Sequence, residues 1–192
     1  MGKKYTGIPA SETKVAHDIT KRYILLRGPI ISITALLIEQ AAKKILKHEP
    51  VGPIRLVISS EGGDFYAAVR IFQYVQQLPV AVETVVLDKA FSGAFLISQA
   101  GATRSAFPKA RFRFHQATVY LEKGNYNKRS LEDIVRVLDR INATQFVVLT
   151  TRAHPVKTIF ELLEGEAEIS AERALELNFI DRIVPKDAIS NM

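Results

Sequence analysis

Apolar residues along this chain follow two different spacings. Short and almost continuous apolar runs, typical of strands buried on both faces, occur at 22–26, 54–59 and 81–87. Between and after these runs, apolar residues recur every three or four positions, which predicts helices over 32–48, 65–78 and 93–100. Ser32 is the expected N-cap of the first helix, whose apolar stripe should comprise Ile33, Leu36, Leu37, Ala41 and Ile45. This β-α-β-α order with short links favours a parallel sheet covered by helices.

The pattern changes in the second half of the chain. Strict alternation in 111–115 predicts a strand, and 130–153 has the spacing of one long helix. Around 146–149 the apolar residues cover much of that helix's circumference, so we expect this end to need a partner surface that a single copy of the chain does not offer. Pro155 opens a further helix, and 170–184 predicts a short capped helix followed by a strand.

Composition excludes several kinds of site. The chain has 192 residues, enough for one domain with a proper core, and it has no cysteine, which excludes disulfides, thiolate metal sites and cysteine nucleophiles. No residues have metal-ligand spacing, so we expect no metal and no cofactor. The net charge of +6 is scattered, which argues against nucleic-acid binding. With no membrane-spanning run and no secretory signal, a cytoplasmic location is expected.

Three places in the sequence carry candidate chemistry. In DKAFSGAF, residues 88–95, Ser92 either caps the following helix or is a nucleophile exposed by a sharp turn, with the next backbone N–H facing an oxyanion. Gly62 and Gly63 follow a buried strand, where they form either a plain tight turn or a place where bare N–H groups approach a reacting carbonyl. His115 ends a strand among polar residues, where it is either an ordinary surface histidine or a general base.

Four segments, in order, resemble the proteolytic subunit of Clp protease, a self-compartmentalised serine peptidase. They are RYILLRGPI (22–30), IRLVISSEGGDFYAAVRIFQYV (54–75), ATRSAFPKARFRFHQA (102–117) and EISAERALELNFIDRIV (168–184). The resemblance implies an α/β fold of the ClpP/crotonase-like superfamily, a repeated β-α-β superhelix with a protruding handle helix. It also implies a single domain over 1–192, whose head comprises 22–128 and 154–184 and whose handle helix comprises 129–153.

The same resemblance implies the site residues. The family's nucleophile, placed by its spacing from the Gly-Gly turn and from a later Ala-Gly pair, corresponds to Ser92. The family's histidine corresponds to His115, and its aspartate, four residues before a closing Ser-Ala, corresponds to Glu166. The resemblance therefore implies a Ser-His-acid triad, with an oxyanion hole formed by the backbone N–H groups of Gly63 and Gly93.

The sequence also departs from the family pattern. Glu61 stands where the family has proline before Gly-Gly, and Glu166 stands where it has aspartate. Matching the Gly-Ala-Phe triplet alone puts Phe91, rather than Ser92, at the nucleophile's position. A hydroxyl suits an exposed turn better than a benzyl group, so Ser92 is the preferred assignment. These departures indicate a divergent member.

The function that the resemblance implies is a serine endopeptidase that cleaves peptides or unfolded proteins inside a chamber of stacked rings. Its partners would be further copies of the same chain, with an AAA+ ATPase unfoldase or a paralogous subunit. A second interpretation is a ring subunit with weak or no catalytic activity. A third is a relative in the wider superfamily, either a signal-peptide-peptidase-like Ser–Lys enzyme or a crotonase-like protein that binds acyl-CoA.

Overall fold

The computed structural model describes residues 13–119, 121–150, 155–165 and 168–185. The strands of these residues are β1 (Lys14–Asp18), β2 (Tyr23–Arg27), β3 (Ile54–Ser60), β4 (Val82–Phe91), β5 (Thr103–Ala106), β6 (Arg111–Arg113), β7 (Glu168–Ser170) and β8 (Arg182–Ile183). Their helices are α1 (Thr34–His48), α2 (Phe65–Gln77), α3 (Gly93–Ser98), α4 (Lys128–Thr150), α5 (Val156–Gly165) and α6 (Ala171–Glu176). The chain divides into two compact units, the first comprising residues 1–113 and 168–192 and the second residues 114–167.

The strands of the first unit form a mostly parallel sheet. Its order is β1-β2-β3-β4-β5-β8, and β6 pairs with both β4 and β7. The pairs from β2 to β5 are parallel, as the β-α-β-α pattern predicts, whereas β1 runs antiparallel to β2 at one edge. The edge strand β1 was not predicted, because its sequence KVAHD mixes polar and apolar residues over only five positions.

Helix α1 begins two residues later than predicted, and a different face is buried. It starts at Thr34, whose hydroxyl accepts a hydrogen bond from the Ile31 N–H at 2.9 Å, so the prediction of an N-cap at Ser32 is wrong. Ile33 and Leu36 are exposed, and the buried residues are Thr34, Ala35, Ile38, Ala41, Ala42 and Ile45. Three alanines lie on this buried face, and such small side chains let a helix approach a sheet closely.

Strand β4 extends four residues beyond its predicted end. Ile58 of β3 lies opposite Val86, but Ser60 lies opposite Ala90, so β4 contains two extra residues across this irregularity in the ladder. Past it, β4 pairs with β6 until Phe91 lies opposite Arg113. The bulged extension therefore delivers Ser92 directly from the end of a paired strand.

Ion pairs hold β8 against the sheet. The Arg182 guanidinium hydrogen-bonds Glu83 at 2.5 Å, and Arg55 lies 3.4 Å from the same carboxylate. Burial alone would raise the pKa of Glu83, but the hydrogen bonds from Arg182 and Ser105 and the positive charges of Arg182 and Arg55 together hold that pKa below its usual value. The carboxylate is therefore the favoured state of Glu83, which keeps this network charged.

In the second unit, α4 packs against α5. The rings of Phe146 and Phe160 have centroids 5.1 Å apart, and Leu149 is fully buried. The expectation that the 146–149 end of the helix lacks cover within the chain is therefore wrong for Phe146 and Leu149, because α5 supplies a partner surface. Residues 151–153 of the predicted helix lie outside the described residues. No helix in the described parts of the chain is long and apolar enough to cross a membrane.

Candidate active site

Ser92 has a backbone conformation that non-glycine residues rarely adopt. Its φ is 52° and its ψ is −123°, at the junction of β4 and α3. Its N–H donates to the Arg113 carbonyl of β6 at 2.9 Å, and its carbonyl accepts from the Phe95 N–H of α3 at 2.9 Å. Backbone hydrogen bonds to β6 and α3 therefore hold the turn. The hydroxyl makes no capping hydrogen bond. Ser92 therefore occupies the N-cap position of α3, but the interpretation that its side chain caps the helix is wrong.

The Gly62–Gly63 turn lies against the Ser92 turn. A Cβ added to Gly62 would come within 2.5 Å of the Phe91 carbonyl oxygen and 2.8 Å of the Ser92 Cβ. Gly62 has φ +89°, so both space and backbone conformation require glycine there. Two turns that are 30 residues apart in sequence are thus in contact, because β3 and β4 are adjacent parallel strands whose carboxyl ends meet at one edge.

Two backbone N–H groups are available beside Ser92. The bridge between Ile30 and Gly63 uses the Gly62 carbonyl and the Asp64 N–H, each at 2.8 Å, and leaves the Gly63 N–H unused. Gly93 is the first residue of α3, where a backbone N–H has no acceptor within its own helix. A Cβ built on Gly93 would lie only 3.9 Å from the Gly63 nitrogen. Such a pair of donors is the arrangement that stabilises an oxyanion in acyl transfer.

Lys89 and Arg113, two cations that the sequence did not single out, also lie near this turn. Lys89 forms an ion pair with Glu61, and the two side chains are 34% and 45% exposed. A lysine that acts as a base must lose its proton, which burial favours and an adjacent carboxylate opposes. Lys89 is therefore poorly suited to the role of base in a Ser–Lys enzyme. Arg113 contacts the ring of Phe91, with its Cζ 5.2 Å from the ring centroid.

The other two predicted triad residues belong to the second unit. The His115 Nδ1 lies 2.6 Å from the carbonyl oxygen of Gln116, and since a carbonyl can only accept, Nδ1 carries the hydrogen. The lone pair of a neutral His115 is then on Nε2, which is the state that a general base needs. Glu166 lies outside the described residues. Among those residues, no group of three His, Asp or Glu side chains could hold a metal ion.

Comparison with known proteins identifies the family. A family model described as Clp protease matches residues 11–187. The chain belongs to the Clp protease family. It is similar to the ATP-dependent Clp protease proteolytic subunit 2 of Streptomyces coelicolor (strain ATCC BAA-471 / A3(2) / M145), with 32% identity over 149 residues. The match covers 74% of this chain and 66% of that relative's length.

Membership of the Clp protease family confirms the resemblance found in the sequence and the α/β fold class that it implied. It also favours a peptidase over a crotonase-like protein that binds acyl-CoA. The match to residues 11–187 includes Ser92, His115 and Glu166. In the first unit, the turn around Ser92 lies beside two backbone N–H groups that form no hydrogen bond with the described residues.

Proposed function

We propose that this chain is a serine endopeptidase that cleaves peptides or unfolded proteins inside an oligomeric chamber. The observation that carries the proposal is the Ser92 turn, whose hydroxyl caps nothing and which lies beside the glycine N–H groups described above. The direct measurement is hydrolysis of an unfolded protein and of blocked peptides by the purified, assembled chain. Absence of turnover in that assembly contradicts the proposal.

In the proposed mechanism, the Ser92 Oγ attacks the scissile carbonyl while the His115 Nε2 takes its proton. The N–H groups of Gly63 and Gly93 bind the oxyanion of the tetrahedral intermediate, a role in which one donor is typically worth about 10²–10³ in rate. His115 then returns the proton to the leaving amine, which leaves an acyl-enzyme that water hydrolyses by the reverse sequence. Glu166 orients the imidazole and stabilises its charged form.

The assignment of the acid is tested by substituting three alternate glutamates. Glu166→Gln is expected to lower kcat by about 10⁴-fold, since that is the cost of disabling the orienting acid in a well-studied triad. Glu164→Gln at the end of α5 and Glu168→Gln in β7 are matched controls and should change kcat by less than about threefold, as expected of surface substitutions. Steady-state kinetics on one peptide gives all three values. Equal losses in all three variants indicate a general charge effect and exclude Glu166 as a triad member.

The proposed chamber requires assembly with further copies of the chain. Helix α4 exposes Leu131 and Val135, one turn apart, beside a groove that they line together with Lys128, Glu132 and Arg136. Exposed apolar side chains in a row on a helix are typical of an interface between subunits. The relative named above is an ATP-dependent proteolytic subunit, so the proposal includes an ATPase partner.

Assembly is tested by introducing charge on this face of α4. Replacing both Leu131 and Val135 with Glu is expected to convert a species of many protomers into small species, because two buried charges cost several kcal/mol at an interface. Ala143→Glu, at an exposed position on another face of the same helix, is the matched control and should leave the assembly intact. Mass photometry measures both. A wild-type chain that is monomeric and active contradicts the proposed chamber.

A second candidate function is that of a ring subunit without catalytic activity. It is favoured by Phe91, which the Gly-Ala-Phe match places at the nucleophile's position and whose ring lies under the Arg113 guanidinium. The two functions differ in one observable property. A silent subunit assembles but does not react with a serine-directed fluorophosphonate, whereas the proposed peptidase does both.

A further inference from the structure

Arg113 lies directly beside the proposed nucleophile. It is the last residue of β6, opposite Phe91 in the parallel ladder with β4, and its carbonyl accepts the Ser92 N–H at 2.9 Å. Its guanidinium contacts the Phe91 ring on the same side of the sheet. Arg113 is therefore bonded to Ser92 through the backbone, and its guanidinium lies over the ring of the residue that precedes Ser92.

Within the described residues, Arg113 lacks the partners that the buried arginines Arg22 and Arg104 have. Arg22 donates to three backbone carbonyls, and Arg104 donates to Asp181 and Gln99. In contrast, the Arg113 Nε is buried without a hydrogen-bond partner, and no carboxylate of the described residues forms an ion pair with Arg113. Glu168 lies opposite it in the ladder with β7, yet no ion pair joins the two. A buried N–H without a partner is costly, and a ligand that accepts a hydrogen bond from the Arg113 Nε would remove that cost.

The geometry points to Arg113 as a specificity-determining residue that binds a substrate carboxylate; this inference rests on the proposed peptidase function. The planar fork of a guanidinium fits a carboxylate with two parallel hydrogen bonds. The ligand is the acidic side chain of the residue whose carbonyl Ser92 attacks. The net charge of +6 on the chain also attracts acidic substrates. The enzyme therefore prefers to cleave after glutamate or aspartate.

The experiment compares two fluorogenic peptides that have blocked ends and differ only in Glu or Gln before the scissile bond. The blocked ends leave the side chain as the only source of a carboxylate. The wild-type chain is expected to show kcat/KM about tenfold or more higher for the Glu peptide, since a hydrogen bond to a charged group contributes about 1.5–3 kcal/mol. Arg113→Met should bring the Glu-to-Gln ratio to about one, and Arg113→Lys should retain part of the preference because it keeps the charge.

Arg111→Met is the matched control, because Arg111 is an exposed arginine on the same strand, and it should leave the ratio unchanged. A ratio of one in the wild-type chain overturns the inference. So does an equal loss with both peptides in Arg113→Met, since that indicates a role in holding Phe91 rather than in binding substrate.

Binding of the same peptides to Ser92→Ala protein, measured by fluorescence anisotropy, gives a second readout that needs no chemistry. Tighter binding of the Glu peptide, lost in Ser92→Ala/Arg113→Met, supports the carboxylate subsite even if the wild-type chain cleaves neither peptide. In that case the proposed peptidase function fails, the preference for cleavage after an acidic residue fails with it, and only the carboxylate subsite at Arg113 stands. Equal binding of the two peptides overturns the inference whatever the activity is.

Discussion

Ser92→Ala is expected to lower kcat by about 10⁶-fold, the cost of removing the nucleophile in the serine protease where all three triad residues have been substituted. It should also abolish covalent labelling by a fluorophosphonate. Folding stability should hardly change, because the Ser92 hydroxyl makes no capping bond and the turn is held by backbone hydrogen bonds to Arg113 and Phe95. Peptide kinetics, labelling detected by mass spectrometry and a thermal melt measure the three effects.

Ser98→Ala is the control for this substitution. Ser98 is a buried serine at the end of α3 whose hydroxyl donates to the Phe95 carbonyl at 2.7 Å, and therefore it has a structural role only. Its loss should lower the melting temperature while labelling persists. Labelling that survives in Ser92→Ala, or that never occurs in the assembled wild-type chain, contradicts the assignment of Ser92 as nucleophile and favours the silent ring subunit.

The parallel sheet was predictable because its central strands, β3 and the first half of β4, are buried on both faces for most of their length. Residues 54–59 are almost continuously apolar, and β3 extends only one residue further, to Ser60. The buried face of α1 was not predictable from the same kind of pattern. Ile33 and Leu36 are larger and more apolar than Thr34 and Ala35, yet the smaller pair is buried. Hydrophobicity alone predicts that the larger side chains are buried, whereas close packing of the helix against a sheet favours burial of the smaller ones.

The candidate site was predictable only where it depends on strand order. The resemblance implied that the N–H groups of Gly63 and Gly93 lie beside Ser92, and the fold explains this, because turns that follow adjacent parallel strands meet at one edge of a sheet. The bulged extension of β4 was not predictable, and neither was the buried Nε of Arg113 that has no hydrogen-bond partner among the described residues. The bulge depends on how β3 and β4 pair. Whether the Arg113 side chain has a partner depends on where the carboxylates of the folded chain lie. Alternation in 111–115 places Arg113 on a polar face but cannot distinguish it from an ordinary surface arginine.

The proposed triad uses His115 as the general base, whereas a Ser–Lys enzyme uses a lysine. The surroundings of Lys89 and His115 lead us to expect very different losses of kcat when each is substituted. Lys89 is partly exposed and held in an ion pair with Glu61, whereas the base of a Ser–Lys enzyme must be an unprotonated amine that contacts the serine. His115 donates its Nδ1–H to the Gln116 carbonyl and so presents a basic Nε2. In the proposed triad the Glu166 carboxylate takes the place of this carbonyl as the acceptor of the Nδ1–H, because one N–H cannot serve both acceptors.

His115→Ala is therefore expected to lower kcat by about 10⁵–10⁶-fold, close to the effect of losing the nucleophile, because the two groups act as a unit. Lys89→Met should change kcat by less than about fivefold, since an exposed ion pair contributes at most about 1 kcal/mol. Peptide kinetics on the assembled variants measures both, and mass photometry confirms that assembly is intact. Activity that survives His115→Ala but is lost in Lys89→Met would show that lysine is the base. The backbone N–H groups of Gly63 and Gly93 would then still serve the oxyanion, because that part of the proposal depends only on the contact between the Gly62–Gly63 and Ser92 turns.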